Sequence, residues 1–204
     1  MTIGGNATFS GSVQADSVTV AGAAAIHGGA VTTTGAQSYS GAVTVSAAET
    51  AFTASGGDIT LSSTLDGTAA LSQGVVFATG TGSVRISGAA GGSARLGAVT
   101  LASGTTACES TLSAGAVTVS GGTLTFGGDA TFSSLEVAGG AALAAESGSP
   151  AVLTVEGTTT NGGSITLAAG DATLTGAYSG TGGALTASGG TTVFGADVDL
   201  SGTA

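Results

Sequence analysis

Two side chains in this sequence belong to the usual nucleophile and acid–base repertoire, and neither has a partner nearby. His27 is the only histidine, in Ala25-Ile26-His27-Gly28-Gly29, on the face of a strand opposite Ile26. A metal site or a general base needs a second ligand or an orienting carboxylate, and neither another His nor a neighbouring acidic cluster supplies one. A surface or turn histidine is therefore expected. Cys108 is the only cysteine, and a nucleophilic thiol would need His27, which lies more than eighty residues away. Its spacing from Phe126 and Ala144 reads instead as a small core residue. One cysteine permits no internal disulfide.

The carboxylates are scattered. Asp58, Asp66, Asp129 and Asp171 follow or adjoin glycine turns, where an Asp caps backbone N–H groups. Gly127-Gly128-Asp129 and Gly170-Asp171 are fragments of a nine-residue calcium-binding repeat whose full pattern is absent. Asp197 and Asp199 share a strand face and read as a solvated acidic edge. Solenoid enzymes that act on acidic sugars gather Asp, Lys and Arg on one face. This chain has no Lys, and no Asp or Glu lies between its two arginines, Arg85 and Arg95. The expectation is a protein with no catalytic role and no metal or other cofactor.

What must hold these residues is a repeat. Val99-Thr100-Leu101, Val117-Thr118-Val119, Leu135-Glu136-Val137 and Leu153-Thr154-Val155 follow one another at steps of eighteen residues, the mark of a stacked array. In a strand, the first and third side chains of each triplet share one face and the middle one takes the other. Val99, Leu101, Val117, Val119, Leu135, Val137, Leu153 and Val155 are thus expected as two buried columns, with Thr100, Thr118, Glu136 and Thr154 outside. The same step takes Thr106 to Leu124 to Ala142, and Cys108 to Phe126 to Ala144, which adds a second strand to each coil. The sequence predicts an all-β chain, a parallel β-helix (β-solenoid) with coils of about 18 residues, spanning residues 1–204 as a single domain. That length gives about eleven coils and, at ~4.8 Å per strand, a rod of roughly 50 to 55 Å. Parallel crossovers favour the right hand. Elsewhere the step changes: Val43-Thr44-Val45 to Ile59-Thr60-Leu61 is sixteen, and Val84-Arg85-Ile86 to Val99 is fifteen. Corner loops at Ala47 to Thr50, Ala89 to Gly92 and Thr158 to Gly163 are expected to absorb these differences.

Composition excludes several alternatives. With 42% hydrophobic and 7% charged residues and one Pro, the chain lacks the signature of disorder. A net charge of −10 offers no basic surface to a nucleic acid or an anionic membrane. No apolar run is long enough for a membrane-spanning helix. Six Phe, two Tyr and no Trp are too few for the aromatic girdles of a membrane barrel, so no membrane insertion is expected. Met1-Thr2-Ile3-Gly4-Gly5 enters the repeat pattern without a secretion signal.

The stretch Thr32-Thr33-Thr34-Gly35-Ala36-Gln37-Ser38-Tyr39-Ser40-Gly41-Ala42-Val43-Thr44-Val45, then Gly57-Asp58-Ile59-Thr60-Leu61-Ser62-Ser63-Thr64-Leu65-Asp66-Gly67, resembles the repeats of filamentous-haemagglutinin-like bacterial surface adhesins. Gly91-Gly92-Ser93-Ala94-Arg95-Leu96-Gly97-Ala98-Val99-Thr100-Leu101 is similar to a further step of those repeats. The likeness covers the first half of the chain. It implies a right-handed parallel β-helix, secreted through a partner outer-membrane pore, forming an extracellular shaft at the bacterial cell surface. The family's amino-terminal secretion domain, with its Asn-Pro motif, has no counterpart here, since Pro150 is the only proline and follows Ser149.

Three roles follow from these readings. One is the structural shaft of an adhesin or fibre. A second is a filament that polymerises head to tail, because the coils around Gly5 to Ser12 and Asp197 to Gly202, with Phe9, Val198 and Leu200 as stacking residues, carry no Lys or Pro to guard their edges. A third is a face of Thr-x-Thr pairs, Thr32/Thr34, Thr123/Thr125, Thr158/Thr160 and Thr173/Thr175, that grips ice or polysaccharide. The partners implied are other copies of the chain and host or surface glycans.

Overall fold

Alternating apolar and hydroxyl residues, interrupted every few positions by Gly, Ser or Asp, favour strands of three or four residues joined by tight corners. A computed structural model describes residues 1–102 and 104–200, and all its regular elements are β-strands. Every strand pair is parallel. The chain winds as a solenoid of ten coils with three faces. Face A consists of Thr2–Ile3, Val18–Val20, Gln37–Tyr39, Ile59–Leu61, Ser83–Ile86, Thr105–Cys108, Thr123–Phe126, Ala142–Ala145, Ser164–Leu167 and Ala184–Ala187, in coils 1 to 10. Face B runs from Ala7–Phe9 to Thr192–Phe194. Face C runs from Val13–Ala15 to Val198–Asp199. In coils 6 and 7 the strands Leu112–Val119 and Ala130–Val137 bend across the corner and serve both B and C.

The register corrects the predicted coil length. Thr2 pairs with Thr19, 17 residues on, and Thr60 with Arg85, 25 residues on. From Thr2 to Thr186, nine steps average about 20 residues. Ten coils at ~4.8 Å make a rod about 43 Å long, shorter than expected. The extra residues of coil 4 form a corner at 68–73, where Leu71 has a positive φ of 59°. The expected loops are partly rungs of the ladder: Thr50 pairs with Val75, Ala90 bridges Leu65 and Leu112, and Thr159–Asn161 is a strand.

The columns are as expected for three rungs and not for the fourth. Val99, Val117 and Leu135 stack on one another, as do Leu101, Val119 and Val137. Leu153 and Val155 instead stack on Ala130 and Phe132 of face B, while Leu135 and Val137 meet Thr159 and Asn161. All eight ladder residues are buried. Thr100, Thr118 and Thr154 are half-buried and Glu136 is exposed on the outer side. On face A, Leu124 and Phe126 meet Leu143 and Ala145 rather than Ala142 and Ala144, because that coil has 19 residues. Likewise Val43–Val45 belongs to face B and Ile59–Leu61 to face A, so the sixteen-residue step joins two faces and not two coils. The fifteen-residue step does the same, from face A at Val84 to face C at Val99.

The core is continuous from Ala7 to Tyr178. Each fully buried Val, Leu, Ile or Phe contributes about 1.5–3 kcal/mol. Because coils lie one strand spacing apart, like residues stack: Phe52 of coil 3 lies on Phe77 of coil 4 with ring centroids 5.3 Å apart and planes 19° off parallel. Corners impose a second constraint. Gly122 has φ 69°, and a Cβ there would sit 1.6 Å from the carbonyl oxygen of Gly104 in the coil below. Gly122→Ala is expected to destabilise the fold by about 2–4 kcal/mol, from the left-handed conformation and the displaced corner together. Gly11→Ala, with nothing within 4 Å of the added carbon, should change stability by less than about 0.5 kcal/mol. Chemical denaturation of the two variants checks this pair.

Candidate functional site

The residues with reactive side chains are held apart by the winding. His27 follows the face B strand Ala24–Ile26 of coil 2, is exposed, and shares a hydrogen bond through Nδ1 with the Ser46 hydroxyl of coil 3. Cys108 ends the face A strand of coil 6, where it is 3% exposed and registered with Phe126. Four coils, roughly 19 Å of axis at ~4.8 Å each, separate the two. Burial pushes the Cys108 thiol up to about 12, so at neutral pH it carries no thiolate to act as a nucleophile. A thiol reagent should label native Cys108 at a rate limited by unfolding, and Cys108→Ala should cost about 1–2 kcal/mol as a truncated core side chain. Labelling as fast as in the denatured chain would contradict its burial.

The aspartates near glycine turns act as clamps between coils. The Asp58 carboxylate accepts from the Ser83 backbone N–H at 2.7 Å and from its hydroxyl at 2.9 Å, one coil on. Asp66 accepts from the Ser93 N–H, Asp129 from the Val152 N–H and Asp171 from the Thr191 N–H. Asn6 does the same for Ala23. Each satisfies a corner donor that the strand ladder leaves unpaired.

The two arginines are also tied across coils. Arg85 on face A grips Glu109 of the next coil through Nε at 2.6 Å and Nη2 at 2.9 Å. Arg95, in the corner of coil 5, donates to the Ala114 carbonyl at 2.9 Å and reaches Glu156 of coil 8 at 2.9 Å. Exposed pairs of this kind contribute ~1 kcal/mol or less. Nothing in the sequence reveals the pairings, since their separations of 24 and 61 residues depend on the actual coil lengths.

Two buried amides escaped the sequence reading. Gln37 donates to the carbonyls of Val31 and Thr53 and accepts from the Tyr39 hydroxyl. Asn161 donates to the Tyr178 hydroxyl and the Ala184 carbonyl and accepts from the Gly163 N–H. Both sit where a corner turns inward, and the only hint in the sequence is that Gln37 has the same parity as Tyr39. Burial raises the Tyr39 hydroxyl above the usual phenol range.

The outward rows are not those the Thr-x-Thr pairs suggested. Thr32 and Thr160 lie on face C, Thr125 on face A and Thr173 on face B, so the four pairs make no single array. The register builds a different row along face A: Thr2, Thr19, Ser38, Thr60, Arg85, Ala107, Thr125, Ala144, Thr166 and Thr186.

The largest cavity among the described residues, about 560 Å³, opens at the coil 10 end and is lined by Tyr178, Leu185, Phe194, Val198 and Leu200 among others. Val198 and Leu200, expected as stacking residues, are 41% and 56% exposed there, whereas Phe9 at the other end is 8% exposed beneath coil 2. Ser201 and Gly202 of the expected end coil lie outside the described residues. Asp197 gives its carbonyl to the Tyr178 N–H, and Asp199 continues face C. Among the described residues no three His, Cys, Asp or Glu side chains converge as a metal site requires. No family model, curated protein or solved structure matches the chain.

The clamps set an acid limit. The Asp58 carboxyl is lowered by the Ser83 backbone and hydroxyl hydrogen bonds, and Glu109 by the Arg85 hydrogen bonds and then that from Ser87. A folded pKa below the unfolded value stabilises above the unfolded pKa, about 4, and that stability is lost as pH falls through the folded pKa. Melting temperature should therefore drop with acid below about pH 4. A variant carrying Asp58→Ala and Glu109→Gln should be less stable at neutral pH and show a shallower acid slope. An unchanged slope would contradict the assignment.

Proposed function

We propose that this chain is a length of shaft from a bacterial cell-surface adhesin or extracellular fibre, a stiff spacer with no catalytic role. The observation that carries this reading is the core, one apolar column running from Ala7 to Tyr178 inside three parallel ladders. A rod of this kind holds its length because each coil is paired along its backbone to both neighbours. The surface suits exposure: the chain has no Lys, and Arg85 and Arg95 both lie in ion pairs. The likeness of Thr32 to Gly67 to adhesin repeats points to the same extracellular setting. A net charge of −10 disfavours nucleic acid as a partner.

A second reading rests on face A, whose outward row carries no charge from Ala107 to Thr186. Hydroxyls and methyls repeating at ~4.8 Å suit a regular surface such as an extended glycan or ice. Glycan-array binding or thermal hysteresis that is lost in Thr125→Lys and Thr166→Lys supports it, and a silent wild-type chain excludes it.

A shaft is modular. Removing residues 105–141 joins Gly104 to Ala142, which occupy equivalent positions two coils apart. Displayed on a bacterial cell between an anchor and a fluorescent tip, this shortened chain should bring the tip about 10 Å closer to the surface and keep its protease resistance. A tip height independent of coil number, or rapid digestion of the intact rod, would contradict the shaft.

A further inference from the structure

We infer that coil 10 is a docking surface for coil 1 of a second copy of this chain, so that copies stack head to tail along the rod axis. The inference adds a partner to the shaft and does not depend on where the shaft is anchored. Of the six large apolar residues that are exposed, Val193, Phe194, Val198 and Leu200 lie at the coil 10 end and Met1 at the coil 1 end, with Leu71 alone on the flank. Burial lapses in the same place: the strand Thr192–Phe194 has no buried residue and Val198–Asp199 is wholly exposed, although their counterparts one coil earlier, Ala172–Leu174 and Tyr178, are buried. The side chains facing the axis are apolar because their columns are core columns, and they lack only the next rung.

Coil 1 is a rung of the matching kind. It presents Ile3 on face A, Ala7 and Phe9 on face B, and Val13 and Ala15 on face C, and Ile3, Val13 and Ala15 are only partly covered by coil 2. All strands run in one direction, so the free edge of coil 10 and the free edge of coil 1 are the two complementary sides of one parallel ladder. The contact would continue an interface the rod already makes nine times. At the last of these, between coils 9 and 10, four residue pairs on face A, three on face B and two on face C are in register. Ile3, Phe9 and Val13 of the incoming copy would extend the three columns that end around the 560 Å³ cavity. Exposed apolar patches of this kind mark association sites, and unpaired strand edges template the addition of another chain. The devices that block such addition are absent from both rims: the chain has no Lys, and its single proline, Pro150, is in mid-rod. Coil 10 and coil 1 are different surfaces, so the contact is heterologous and leaves a free end of each kind after every addition.

The test places a charge at one end at a time. Val198→Lys disables coil 10 and Val13→Lys disables coil 1, and both positions are on face C. The wild-type chain should show mass rising with concentration by light scattering, with unbranched rods in electron micrographs. Each variant alone should remain monomeric, with wild-type protection of the Val99–Val137 amides as the control for folding. An equimolar mixture should give dimers and nothing longer, because one functional coil 10 and one functional coil 1 remain. A monomeric wild-type chain at high concentration overturns the inference while leaving the shaft reading intact. Dimers that survive Val13→Lys but not Val198→Lys would mean coil 10 meets coil 10, and association unaffected by either variant would mean a lateral contact. Both results also overturn it.

Discussion

Everything in this rod depends on the parallel backbone ladder between successive coils. A single coil of about 20 residues has an apolar inner side with nothing to cover it, and three short strands with no partners. Stacking supplies both at once. The hydrogen bonds of face A hold Ile59 over Gln37 and under Val84, and that alignment puts each core side chain against its neighbours above and below. The ladder also dictates the corners. Coils one strand spacing apart leave no room for a side chain where Gly122 passes over Gly104, or where Gly91 passes over Ser113. Glycine is there because the backbones approach too closely for anything larger.

Side chains that would be functional elsewhere are absorbed by this requirement. The aspartates at the turns satisfy N–H groups that the ladder misses at its corners, and Gln37 and Asn161 satisfy carbonyls and hydroxyls on the inner side of the same corners. Cys108 fills a gap in the face A column next to Phe126. Arg85 and Arg95 staple neighbouring coils from outside. What remains free to meet a partner is the outer rows and the two ends, and of these only the ends expose core-type side chains in quantity.

The parity of each strand was legible because it depends only on neighbours: in Val117-Thr118-Val119 the alternation itself says which side chains are inside. The fold class followed, as did the capping role of Asp58, Asp66, Asp129 and Asp171. The period was not legible, because the three faces use the same vocabulary. Val18-Thr19-Val20 is on face A, Val43-Thr44-Val45 on face B and Val117-Thr118-Val119 on face C. Matching like triplets therefore confuses a step between faces with a step between coils, as happened at Leu153, which follows Leu135 by eighteen residues yet stacks on Ala130. Corner lengths decide such cases, and corners carry little pattern. The ion pairs were hidden for the same reason. Buried Gln37 and Asn161 ran against residue-type expectation and are explained only by the carbonyls they meet.

The ladder register at that point is the central claim in its sharpest form. Outward residues paired across a parallel ladder have Cα atoms about 5 Å apart, within disulfide range. In a Cys108→Ala background, cysteines placed at Thr131 and Thr154, or at Glu136 and Thr160, should cross-link completely under mild oxidation, and cysteines at Glu136 and Thr154 should not. Efficient cross-linking of Glu136 with Thr154 would restore the uniform eighteen-residue coil and contradict the three-faced winding described here.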